Sequence, residues 1–108
     1  MSIFLTQGRF TREYIRGGLQ KPEDRQAALS RLCEAAGGRL VSMYFTLGRY
    51  DFLVVSDMPD AQSAAALALT AAGAGGISDV ITTQAFTTAQ GKELFERAGK
   101  IAYKPMRG

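Results

Sequence analysis

Hydrophobic and polar positions change period several times along the chain, and each change marks an element. Ile3 to Gly8 is rich in apolar and Thr residues and closes on Gly, as a strand does. Phe10 to Gly18 follows. Thr11 suits a helix cap and Gly17-Gly18 a stop, which predicts a single short helical turn. A first long helix is expected from about Lys21-Pro22-Glu23-Asp24. Pro suits the first helical position, and acids suit the positive end of the helix dipole. Leu29, Leu32, Cys33 and Ala36 then recur at helical spacing, and Gly37-Gly38 supplies a C-terminal cap.

From Arg39 to Leu47 the period drops to two. Val41, Met43, Phe45 and Leu47 fall on one side; Leu40, Ser42, Tyr44 and Thr46 fall on the other. Gly48-Arg49 forms a turn, and Tyr50 to Ser56 is apolar on both sides, as a central strand would be. The short link predicts an antiparallel hairpin. Asp57-Met58-Pro59-Asp60 starts a second long helix, Asp60 to Ala72, whose small side chains suit close packing on a sheet. Ile77 to Phe86 forms the fourth strand. Thr87-Thr88-Ala89-Gln90 matches a capping box for a last helix, Thr88 to Ala98, with Leu94, Phe95 and Ala98 as its apolar side.

The order β-α-β-β-α-β plus a C-terminal helix is an α+β, ferredoxin-like arrangement. Right-handed crossovers place two helices on one face of a four-stranded antiparallel sheet. The other face would carry a set such as Ser42, Tyr44, Thr46, Tyr50, Phe52 and Val54, although a slip of one residue inverts it. Such a face is too apolar to stand bare, and two-fold pairing of sheet on sheet would cover it.

At 108 residues the chain is a single domain, residues 1–98, followed by a tail at 99–108. Ile101, Tyr103 and Met106 allow two readings of that tail, a free end or a segment docked on a second subunit. There is no His and a single Cys. A Ser-His-Asp triad, a Cys-His pair, a His-ligated metal or haem and a thiolate zinc cage are therefore excluded, and no metal site or cofactor is expected. Cys33, within an apolar helical stripe, reads as a packed core residue. The net charge is +3 with no Lys/Arg run, so nucleic acid is not an expected partner. Ala64 to Ile77 is too short and mild to span a bilayer, and no signal peptide is visible. The expected location is the cytoplasm.

The segment Gly38 to Asp51, with Thr-Leu-Gly-x-Tyr-Asp at residues 46–51, resembles the motif of the GYD domain family. Pro22-Glu23-Asp24-Arg25 and Tyr103-Lys104-Pro105 are similar as well. The resemblance covers nearly the whole chain. It implies a dimeric α/β barrel, formed by two sheets face to face or by a larger assembly of such dimers. Relatives in that wider group include cofactor-free monooxygenases, lactone isomerases, haem enzymes and ligand-sensing domains. The family itself carries no established activity and no catalytic residues to transfer, and fold alone does not choose among functions.

Tyr44, Tyr50, Asp51, Arg49 and Arg9 are the candidate ligand-binding residues. Tyr50 could donate to a ligand oxygen and Asp51 act as base, or Asp51 could serve the turn by bonding backbone N–H groups. Tyr44 could line a cavity or pack with its hydroxyl at a rim. Arg9, Arg12, Arg16 and Arg49 could hold an anion, or form a solvated face with Glu13. The leading expectation is a small homo-oligomer that binds a small organic molecule near Tyr44, Tyr50 and Asp51. A cofactor-independent oxygenase or isomerase, with Asp51 as base and Tyr44 or Tyr50 as oxyanion donor, is the alternative; a purely structural assembly module is the third.

Overall fold

The computed structural model describes residues 1–106. Strand β1 (Ser2–Phe10) is followed by α1 (Arg12–Gln20), α2 (Gln26–Ala35), β2 (Arg39–Phe45), β3 (Phe52–Met58), α3 (Ala61–Gly73), β4 (Ile77–Ala85) and α4 (Thr88–Gly99). The four strands form a sheet in the order β2-β3-β1-β4, antiparallel at every pairing. This is the expected ferredoxin-like order.

Two local expectations are corrected. The segment after β1 is a nine-residue helix, not a single turn. Gly17 and Gly18 lie inside it with negative φ, so neither acts as a left-handed stop. Helix α2 begins at Gln26, later than Pro22. The Asp24 carboxylate accepts the Gln26 N–H at 2.9 Å, which holds residues 21–25 in a connector before the helix. At the other end Gly37 takes φ +90, and Gly38 N–H donates to Cys33 O at 3.0 Å, the expected glycine cap.

The core lies where α2 and α3 cover the sheet. Phe4, Met58, Cys33, Ala64 and Leu67 are buried together there, with Leu29, Leu32, Ala36 and Leu40 packed around them. Cys33 is fully buried, and burial, followed by the neighbouring Glu34 charge, raises its thiol pKa. The expected core role of this residue holds.

Face assignment is where the pattern misled. On β3 the buried residues are Phe52, Val54, Ser56 and Met58, all on the helix side. Phe52 and Val54 are therefore not on the open face. Ser42 and Tyr44 keep the expected open face, and two features break the alternation elsewhere: the connection displaces Phe52 and Val54, and a bulge displaces Leu40. Residues 46–51 form a longer connection than a two-residue turn, and Val41 is an extra residue between the Leu40–Ser56 and Ser42–Val55 pairs. The bulge turns Leu40 to the helix side, with Met43 and Phe45, and leaves Ser42 and Tyr44 on the open face opposite Val55 and Leu53. Thr46 and Tyr50 belong to the connecting loop. A second irregularity lies in β4, where Asp79 takes φ +51 between the Gln7–Ile81 and Arg9–Ser78 pairs.

Helix α4 forms as its capping box requires. Thr87 Oγ1 accepts the Gln90 N–H at 3.1 Å, and Gln90 Oε1 accepts the Thr87 N–H at 2.8 Å. Its apolar side does not pack on its own domain: Phe95 is 83% exposed, and Phe86, Leu94 and Ile101 are exposed with it. The molecule extends over 59 × 35 × 22 Å. Its radius of gyration is 17.5 Å, against about 13 Å for a compact domain of this length. Residues 100–106 show no regular structure, and Tyr103 and Met106 are exposed; residues 107 and 108 of the tail lie outside the described residues. Among the described residues no helix is long and apolar enough to cross a membrane.

Candidate functional site

Helices α2 and α3 fill only part of the space above the sheet. Each packs mainly on a strand, α2 on β2 and α3 on β4, and they make few contacts with each other. Toward the Met58 end the gap is closed by the core. Toward the Phe10 end it opens into a cavity of about 340 Å³. The volume sits at the small end of the roughly 300–1,000 Å³ range of ligand pockets.

Three walls define it. Ala28, Leu29 and Leu32 come from α2, and Leu67, Ala68, Ala71 and the following Ala74 come from the α3 side. Each set recurs at helical spacing, so each presents one face. The floor is the helix side of the sheet: Thr6, Met43, Phe52, Val54 and Ile77. The small α3 side chains had suggested close packing on the sheet. Ala64 does pack that way, whereas Ala68, Ala71 and Ala74 leave the space that becomes the cavity.

The third wall is aromatic. The Phe10 ring stacks on Tyr14 at 4.6 Å and on Phe52 at 5.5 Å, and it meets Phe45 edge-on at 5.2 Å. Offset and edge arrangements suit the ring quadrupoles. Tyr14 is placed by the start of α1, where Thr11 Oγ1 accepts the Tyr14 N–H at 3.2 Å and donates to Gly75 O at 2.9 Å. Phe52 lies across Gly8. A Cβ at Gly8 would come within 2.8 Å of the Phe52 ring, so this close approach needs a residue without a side chain.

The residues singled out from the sequence lie elsewhere. Tyr44 is 57% exposed on the open sheet face, opposite the cavity. Arg9 is exposed and pairs with Ser78 across β1 and β4. Arg49 places its guanidinium 5.8 Å from the centre of the half-buried Tyr50 ring. Arg12 and Arg16 are exposed on α1. None of Tyr44, Tyr50, Asp51, Arg49 and Arg9 lines the cavity, and the structure does not gather them into one site.

Asp51 is nevertheless decisive. Its Oδ2 accepts the Phe10 N–H at 2.9 Å, and its own N–H donates to Gly8 O at 2.8 Å. Its carbonyl accepts the Thr46 N–H at 2.9 Å, and Thr46 Oγ1 donates to Tyr50 O at 2.7 Å. The motif loop is thereby tied to the last residues of β1, those that carry the Phe10 ring. Sequence reasoning missed Phe10, Tyr14 and Arg25 as site residues. The i, i+4 pair Phe10 and Tyr14, flanking a capping Thr, was the available signal.

Sheet order and helix placement together define a ferredoxin-like α+β domain. Residues 4–95 match the GYD domain, and the chain belongs to the GYD domain family. The chain is also similar to TTHA0845 from Thermus thermophilus, whose crystal structure is known. Identity is 16% and the TM-score 0.52, over 81% of this chain and 95% of that one. At that identity the likeness shows the fold. No curated protein matches the chain.

Replacing Asp51 with Ala leaves the Phe10 N–H without its acceptor and is expected to lower unfolding stability by about 1–3 kcal/mol. Asp51→Asn, which keeps an acceptor oxygen, is expected to lose less than half as much. Urea titration checks both, and an Asp51→Ala loss below about 0.5 kcal/mol, the range of ordinary surface changes, would remove the positioning role.

Proposed function

We propose that the chain binds a small, largely apolar organic molecule in the cavity between its sheet and helices, without chemistry of its own. The supporting observation is the cavity itself: it is apolar, bordered by stacked aromatic rings, and held in shape by the family's own motif loop. The oxygenase or isomerase reading needs a base where the substrate lies. No Asp or Glu lines the cavity, and the Asp51 carboxylate is committed to the Phe10 N–H. Binding without catalysis is therefore the better supported reading.

Assembly is the second part of the proposal. The open sheet face exposes Tyr44 and Ile81 beside half-buried Leu5, Leu53 and Val55. Apolar groups in that number favour a covered face, and a two-fold partner sheet would cover it. The exposed apolar side of α4 adds surface of the same kind. We infer a homodimer, or a set of dimers, joined through these surfaces.

Titration with the neutral fluorophore N-phenylnaphthylamine tests the site. Saturable binding at one molecule per chain is expected. Ala71→Phe, which fills the cavity, should weaken it by at least about tenfold, the scale of excluding a ring from an apolar pocket. Tyr44→Ala should leave it unchanged; the reverse pattern would move the site to the open face. Sedimentation equilibrium tests the assembly. The wild-type chain is expected to sediment as a dimer or a multiple of it, and Val55→Glu as a monomer. A monomeric wild-type chain at micromolar concentration sinks the assembly.

A further inference from the structure

Among the sixteen residues that line the cavity, Arg25 alone carries a formal charge. From this we propose that the ligand is a monocarboxylic acid with a flat apolar body. Its carboxylate is held by the Arg25 guanidinium at the rim, and its body lies against the Phe10, Tyr14 and Phe52 rings. The inference rests on the cavity being the binding site and names what that site selects.

The chemistry follows from what the lining offers and withholds. A guanidinium presents a planar fork of donors that matches a carboxylate in two parallel hydrogen bonds. A cationic ligand would meet a like charge and no carboxylate in the lining. A second negative charge on the ligand would be buried against alanine, leucine and phenylalanine without a partner, which is costly. Thr6 Oγ1 already pairs with Thr82 Oγ1 at 3.2 Å, so that hydroxyl does not compete for the role of anchor.

Arg25 is also free to turn inward. Its present partner is Glu23, at 3.4 Å with both side chains about half exposed, and a pair of that kind is weak. Lys21 Nζ stands 3.7 Å from the other Glu23 oxygen, so Glu23 keeps a cation when Arg25 leaves it. Asp24, the remaining carboxylate at the mouth, is engaged by the Gln26 N–H. Glu23, Asp24, Arg25 and Gln26, with Met43 and Phe45, border a second hollow that shares Arg25 and Met43 with the cavity, so Arg25 stands between the two.

Calorimetric titration of the full chain at neutral pH with three naphthalene probes tests the inference: naphthoate, its isostere naphthamide, and naphthylmethylammonium. Naphthoate is expected to bind about tenfold more tightly than naphthamide, the scale of a charge-assisted hydrogen bond at a half-exposed site, and the ammonium most weakly. Arg25→Gln should erase the difference between acid and amide, and Arg25→Lys should restore part of it. Equal binding of acid and amide by the wild-type chain, or a preference for naphthoate unaltered in Arg25→Gln, overturns the acid and leaves the cavity standing. If none of the three probes binds, or if Ala71→Phe leaves naphthamide affinity unchanged, the cavity reading fails and the acid with it.

Discussion

A single hydrogen bond, from the Phe10 N–H to the Asp51 carboxylate, fixes the aromatic end of the molecule. It joins the loop between β2 and β3 to the last residue of β1, and Asp51 adds a backbone bond to Gly8 on the same strand. The Phe10 ring there contacts Tyr14, Phe45 and Phe52 together. Those rings come from α1, β2 and β3. The motif that marks the family thus serves as a clasp for the wall of a cavity, with its carboxylate turned to backbone and away from the cavity lining.

The two halves of the helix layer show what side-chain size does on one scaffold. Where Cys33, Ala64 and Leu67 meet Phe4 and Met58, the layer is filled. One to two turns further along α3, Ala68 and Ala71, with Ala74 just beyond the helix, face a floor of Thr6, Val54 and Ile77, and none of the described residues fills the gap. Interiors close to native density leave few voids wider than a water molecule. A hollow of this size beside a well-packed core is the observation on which the binding proposal rests. On the far side of the sheet the imbalance is of another kind: apolar groups with no layer over them, and a terminal helix directed away from its own domain.

Most of the fold was legible because period and punctuation agreed. The capping box at Thr87 and Gln90, the glycines after α2 and the alternation of β2 from Ser42 to Phe45 each specified a local geometry that the structure has. The face of Phe52 and Val54 was not legible, because the irregular connection at 46–51 breaks the alternation between β2 and β3, and the bulge at Val41, which has no distinctive residue type, displaces Leu40 in the same way. The start of α2 was misplaced for a related reason. Pro22 and two acids are good first-turn residues, but Asp24 also bonds the Gln26 N–H, and that side chain decided the boundary. The cavity escaped notice because its lining is ordinary: alanine, leucine and phenylalanine on four elements brought together by topology. Asp51 and Tyr50 stood out as chemistry, whereas Asp51 works through the Phe10 ring, and a backbone partner of that kind leaves no trace in composition.

The location of a bound guest tests this account most directly. Methyl-resolved NMR of the full chain, titrated with N-phenylnaphthylamine, reports on both faces of the sheet at once. Shifts are expected at the methyl groups of Leu29, Leu32, Val54, Leu67 and Ile77, which line the cavity. Shifts confined to Leu5, Leu53, Val55 and Ile81, on the open face, would contradict this account.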